Sequence, residues 1–161
     1  MPELALFEHD TVLEAISPAE AVELVRDGFV RHAGGEWVMP PKVYLDSPPH
    51  GDFRAMPARG AGLAILKWAT SFPQNPARGL SVVNGVICVS DAGTGAMTAL
   101  VNVEAVTALR TGAVAAVAAQ ELAREDARTV GIIGCGVHGS WAARCLAAVE
   151  YGPALPSEGR A

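Results

Sequence analysis

The chain has 161 residues, half of them apolar and 18% charged. That is enough for one globular domain, or one domain and part of a second, and too apolar for whole-chain disorder. A net charge of −5 argues against nucleic acid as the main partner, because phosphate contacts need Lys and Arg in excess.

No membrane partner is expected either. The most apolar stretch, residues 105–119, is too short to span a bilayer and carries Arg110. The first ten residues bear acids where a signal peptide needs a basic segment, so the expected location is cytoplasmic. Cys88, Cys135 and Cys145 are odd in number and form no CxxC pair, so they read as reduced thiols and no metal site is expected.

Ser17, Pro18 and Glu20 form a capping box, with Ser at the N-cap, Pro at N1 and Glu at N3. Ala21, Leu24, Val25, Gly28 and Phe29 follow at helical spacing, and Gly34-Gly35 stops the helix. Residues 36–101 read as a run of strands. Segments 43–45 and 53–56 flank a turn-rich stretch and predict a hairpin; 62–70, 80–90 and 96–101 follow, with a turn at 91–95. The loop 72–79 opens just after Lys67-Trp68, where a sheet can hold binding residues. Residues 103–123 predict a long helix whose many Ala and Val imply close packing. The polar joint 124–128 is the expected domain boundary.

Residues 129–133 are apolar throughout and predict a short buried strand. Gly134, Gly136 and Gly139 follow in GxGxxG spacing, and residues 140–149 predict a helix. This is the dinucleotide-binding arrangement. Gly134 would make the tight turn, Gly136 would admit a pyrophosphate, and Gly139 would bring helix and strand together. The alternative is a plain glycine-rich turn. The fingerprint also expects a ribose-binding acid about 20 residues on. Glu158 lies near that distance, but residues 152–156 do not read as a strand. The nucleotide domain is therefore expected to be incomplete in this chain, since a parallel strand needs neighbours. Cys135, at the start of the helix, reads as a small space-filler.

Lys67 interrupts an apolar strand and Arg110 an apolar helix. Each either snorkels to water or faces an anion. In the second case Arg110 would be a bidentate fork for a carboxylate and Lys67 a charge and proton carrier. Lys42 and Arg54 lie on the two arms of the expected hairpin, as solvated edge charges unless a site recruits them.

Several segments occur together in a recognisable order. They are Met39-Pro40-Pro41-Lys42-Val43-Tyr44-Leu45, Phe53-Arg54-Ala55-Met56-Pro57-Ala58, Leu66-Lys67-Trp68 with Asn75-Pro76 and Gly79-Leu80, residues 91–95, residues 107–113 and residues 131–136. In this the chain resembles the ornithine cyclodeaminase/μ-crystallin family over about residues 10–150. The Pro-Pro-Lys and Phe-Arg-Ala-Met-Pro segments are most similar to its archaeal-type alanine dehydrogenase members.

The resemblance implies an α/β chain. An α+β substrate and dimerisation domain (1–125) would be followed by the first βα unit of a truncated Rossmann domain (128–161). It implies NAD(H) or NADP(H) as cofactor, a small amino-acid or imino-acid substrate, and a homodimer in the full-length family. Lys67 would be catalytic or substrate-binding. Arg110 would bind the substrate carboxylate beside the cofactor, and Lys42 and Arg54 would line the same pocket. Val137 and His138 would sit against the pyrophosphate with Gly134, Gly136 and Gly139. The family often has Gln where His138 stands, and a cofactor-contacting Thr of some members falls at Val82. The expected function is an NAD(P)-dependent amino-acid or imino-acid oxidoreductase, alanine dehydrogenase-like or cyclodeaminase-like, in truncated form. The alternatives are a non-catalytic ligand-binding protein of the μ-crystallin kind and an inactive fragment.

Overall fold

The computed structural model describes residues 4–149. Among these, the elements run β1 (Ala5–Phe7), α1 (His9–Ala15), α2 (Pro18–Ala33), β2 (Val43–Ser47), β3 (Gly51–Gly60), β4 (Leu63–Ser71), a 3-10 turn (Asn75–Arg78), β5 (Val83–Asp91), β6 (Met97–Asn102), α3 (Val103–Leu122) and α4 (Val137–Ala147). The six strands form one mixed sheet in the order β1-β6-β5-β4-β3-β2. From β2 to β6 it is an antiparallel meander, and β1 adds to β6 in parallel. The α/β class read from the sequence is what forms, with one six-stranded sheet and four helices among the described residues.

The capping box does start α2. The Ser17 backbone N–H donates to Glu20 Oε2 at 2.9 Å, and the Glu20 N–H donates back to Ser17 Oγ at 3.3 Å. The β3–β4 connection is a two-residue turn in which Ala61 (φ 50°) and Gly62 (φ 76°) both take the left-handed conformation. That geometry matches the twist of the flanking strands. The β5–β6 turn closes on Asp91, whose Oδ1 accepts from the N–H of Gly93 and Thr94 and from the Thr94 hydroxyl.

Two compact units divide the chain, residues 1–15 with 28–106 and residues 16–27 with 107–161. The first holds the sheet. Its core is Ala69, Ile87 and Val103, with Ile65, Val83, Val89, Val101 and Val106 around them. The second is helical. Ala21 and Val22 of α2, Leu109, Ala113, Ala116 and Val117 of α3, and Cys145 and Leu146 of α4 make its core. The small residues of α3 allow the close packing expected of them. A Cβ added at Gly112 would lie 2.6 Å from the Trp141 backbone. The Arg26 guanidinium bridges α2 to α3 through Glu121 and Gln120.

Four readings differ. β1 and α1 have too few residues for a periodic signal, and the sequence reading left them out. Leu24 and Phe29, which recur at helical spacing along α2, are exposed, while Val22, outside that series, is fully buried. Residues 129–133 adopt no strand; Val130, Ile132 and Ile133 are exposed, and no described neighbour offers them a ladder. Cys135 fills no space, being exposed, whereas Cys145 is buried. Glu158 and the segment 152–156 lie outside the described residues. Among the described residues no helix is long and apolar enough to cross a membrane, and no group of three metal-ligating side chains occurs.

Candidate functional site

The antiparallel registers decide which side chains of the sheet unit share a face. Tyr44 pairs with Arg54, Arg54 with Ala69 and Ala69 with Gly85. Two residues along, Met56 pairs with Lys67 and Lys67 with Ile87. Side chains alternate along a strand, so Tyr44, Arg54 and Lys67 are on one face, and Arg54 and Lys67 are diagonal neighbours across β3 and β4. Such neighbours have Cα atoms about 7–8 Å apart, within reach of long side chains. The same face carries Ala69 and Ile87 of the core. Phe53 and Trp68 lie on the opposite face, stacked at 5.6 Å, with Phe72 edge-on to Phe53 at 5.4 Å.

Lys42 precedes β2 and joins this cluster. Its Nζ lies 5.3 Å from the centre of the Tyr44 ring, and Arg54 Cζ lies 5.5 Å from it. Both cations therefore meet the electron-rich ring of Tyr44. Arg54 is further fixed by Asp52, two residues back on β3. Nε donates to Oδ1 at 2.5 Å and Nη2 to Oδ2 at 3.0 Å. The pair acts on both partners: hydrogen bonding to Arg54 holds the Asp52 carboxyl below its usual range, and hydrogen bonding to Asp52 holds the Arg54 guanidinium above its own. Lys67 is half-buried at the middle of β4.

In the helical unit Arg110 projects from the middle of α3 and is exposed. Partial desolvation nevertheless pulls its guanidinium below the ordinary value. Burial also pushes the Cys145 thiol up. The glycine loop separates the roles of its glycines. Gly134 has φ 94°, a conformation that side chains rarely adopt. A Cβ at Gly139 would lie 2.1 Å from the Gly134 carbonyl oxygen, so that position needs glycine for the chain's own packing. A Cβ at Gly136 would meet no protein atom. Gly136 caps α4 without a side-chain hydrogen bond, which leaves the first-turn N–H groups unclaimed by a cap. Val137 and His138 open this helix and are exposed.

Of the residues expected to share a pocket, the sheet brings Lys42 and Arg54 together and sets Lys67 diagonally from Arg54. Arg110 and the glycine loop belong to the other unit. Two residues of the cluster escaped the sequence reading, Tyr44 and Asp52. The i, i+2 spacing of Asp52 and Arg54 on a strand was the available signal, since it puts acid and base on one face.

Residues 3–150 match the ornithine cyclodeaminase/mu-crystallin family. An alanine dehydrogenase of Archaeoglobus fulgidus is 41% identical over 134 residues, which cover 83% of this chain and 41% of that protein. A solved archaeal alanine dehydrogenase dimer with bound NAD superposes with a TM-score of 0.87 at 38% identity, over 91% of this chain and 46% of that one. The Thermococcus litoralis Δ1-pyrroline-2-carboxylate reductase, solved with NADH and L-proline, does so with a TM-score of 0.85 at 30% identity, over 89% and 46%. The chain thus spans less than half the length of these relatives.

Proposed function

The chain belongs to the ornithine cyclodeaminase/mu-crystallin family, and we propose that it carries the substrate-binding cations and the cofactor loop of an NAD(P)-dependent amino-acid or imino-acid oxidoreductase. Its substrate would be a small α-amino or α-imino acid, as in the alanine dehydrogenase and pyrroline-carboxylate reductase relatives. In this reading residues 1–125 form the substrate and dimerisation part, and residues 128–161 begin the nucleotide-binding part. The complete protein would act as a homodimer.

The observation that carries the reading is the contrast inside the glycine loop. Gly134 and Gly139 are required by the chain's own geometry, but Gly136 is not. An absent side chain with open space in front of uncapped helix N–H groups fits a bound pyrophosphate. Gly134, Gly136, Val137, His138 and Gly139 would hold NAD(H) or NADP(H) there, with Arg110 beside the cofactor. When bound, the nicotinamide supplies hydride transfer to or from the substrate's α-carbon.

The remaining work falls to this chain's side chains. Arg110 would grip the substrate carboxylate with its planar fork. Lys67 would stand near the substrate nitrogen and carry its proton, because an ammonium on a flexible stem can give a proton up where a guanidinium cannot. Lys42 would add positive potential on the sheet face, and Arg54, lining the same pocket, would offer the substrate carboxylate a second fork.

Calorimetric titration of NADH and NADPH into the 161-residue chain tests this, with circular dichroism to confirm folding. The expected result is saturable binding that a Gly136→Asp variant abolishes while keeping its helical signal. A folded chain that binds neither nucleotide would overturn the cofactor assignment.

A further inference from the structure

Arg54 is a cation whose orientation is set before any ligand arrives. A guanidinium has five N–H donors in a rigid plane. Asp52 takes one on Nε and one on Nη2. Three donors remain, both on Nη1 and one on Nη2, and one from each nitrogen forms the end-on edge of the group. That edge matches a second carboxylate as well as the side-on edge matches Asp52. Among the described residues no other hydrogen bond from Arg54 occupies it. The plane is held from a second direction by Tyr44, whose ring also receives Lys42. An arginine on an open strand would otherwise spread over many rotamers, and ordering it on ligand binding would weaken the complex.

We infer that Asp52 is a positioning residue: its carboxylate fixes the Arg54 guanidinium against Tyr44 so that the free edge accepts the carboxylate of an amino- or imino-acid substrate. The inference rests on the substrate class proposed above and adds two residues, Asp52 and Tyr44, to the cations already assigned. A carboxylate this close could instead compete with the substrate for Arg54. The two roles have opposite signs. Removing a positioning residue weakens anion binding, whereas removing a competitor tightens it.

The test titrates pyruvate, the smallest 2-oxo acid, into the 161-residue chain and into Asp52→Asn, Asp52→Glu and Arg54→Lys variants, with NADH as a separate titrant. Asp52→Asn is expected to weaken pyruvate binding about tenfold, the scale of one charge-assisted hydrogen bond. Asp52→Glu should recover most of it. NADH affinity and the circular dichroism spectrum should not move, which a merely structural role would not allow. In an Arg54→Lys background, where the fork is gone, Asp52→Asn should have no further effect.

Pyruvate binding by Asp52→Asn as tight as in the parent chain, or tighter, overturns the inference. So does a parallel loss of pyruvate and NADH binding. A parent chain that binds NADH but not pyruvate overturns it while leaving the cofactor reading standing. Binding of pyruvate without NADH, with the loss in Asp52→Asn and the recovery in Asp52→Glu, supports the inference and removes the cofactor reading alone.

Discussion

Two stretches of this chain have the composition of a buried strand, and they end differently. Residues 63–71 become β4, hydrogen-bonded on both sides to β3 and β5. Residues 129–133 become no strand, and Ile133 is 105% exposed relative to a free residue. The two are alike in apolar content, so intrinsic preference does not separate them. What separates them is a partner. A strand is stabilised by the ladder and by the side chains beside it, and β-propensity describes fitness for that surface more than a property of the backbone alone. The sheet unit supplies its own ladder from residues close in sequence. The glycine-loop region has no such ladder among the described residues.

Hydrogen exchange should show the largest effect. Amides in the middle of β4 are expected to exchange at least about a thousandfold more slowly than those of residues 129–133, since core strands open only near the global free energy. Comparable protection in 129–133 would break the comparison and mean that this segment finds a ladder in solution. Point substitutions sharpen it. Gly85 has φ 139°, and a Cβ there would lie 2.0 Å from the Trp68 carbonyl oxygen. Because β4 and β5 are both pinned, Gly85→Ala should cost about 3 kcal/mol or more, combining backbone strain with a clash that nothing relieves. Gly139→Ala meets an equally close oxygen, 2.1 Å away on Gly134. That oxygen is also backbone, so the chain must shift, but it sits on a loop with no ladder and can shift further, and the cost should be smaller than at Gly85, about 2 kcal/mol. Urea unfolding of the two variants decides the order, and equal losses would mean the loop is as rigid as the sheet.

The same asymmetry explains what the sequence made legible. The helix at Ser17, the hairpin of β2 and β3 and the turn at Asp91 are written in local chemistry: a capping box, a turn-rich stretch, an Asp with Gly and Thr after it. Each could be read in place. The Gly134–Gly139 loop was legible for the same reason, since Gly134 and Gly139 answer backbone and steric demands within six residues. Residues 129–133 were misread as a strand because apolar content does not say whether a neighbour will pair with them. Leu24 and Phe29 lie in the helix that their spacing announced but are exposed, because helical spacing marks a stripe without saying how wide the covered part is. The cations Lys42, Arg54 and Lys67 stood out as residue types, but their relation did not. The register between β3 and β4 makes Arg54 and Lys67 neighbours, and it is set by a turn at Ala61 and Gly62 that gave no distinct signal. Asp52 and Tyr44 escaped because neither is unusual alone; only the face they share gives them a role.

The smallest expected effect is on acid stability, and it compares the two units through one carboxylate in each. Glu20, in the helical unit, is held below the usual carboxylate range by hydrogen bonds from the Ser17 side chain and backbone. Asp91, in the sheet unit, is held low by the Thr94 hydroxyl and by the Thr94 and Gly93 N–H groups. A carboxyl whose folded pKa is depressed binds its proton more readily in the unfolded chain. Its stabilising contribution is therefore fully present above the unfolded pKa and is lost as pH falls through the folded one. Both groups face solvent, so each contribution is small. Ser17→Ala and Thr94→Val should each lower Tm by a few degrees (~2–4 °C) near neutrality, and the gap to the parent should narrow between about pH 7 and about pH 3. If the narrowing appears for Thr94→Val but not for Ser17→Ala, the helical unit has already come apart in acid before Glu20 takes up its proton, and the sheet is the more acid-resistant of the two. A gap that stays constant for both would mean that the two hydrogen-bonded turns act through shape alone and that neither carboxylate is linked to folding.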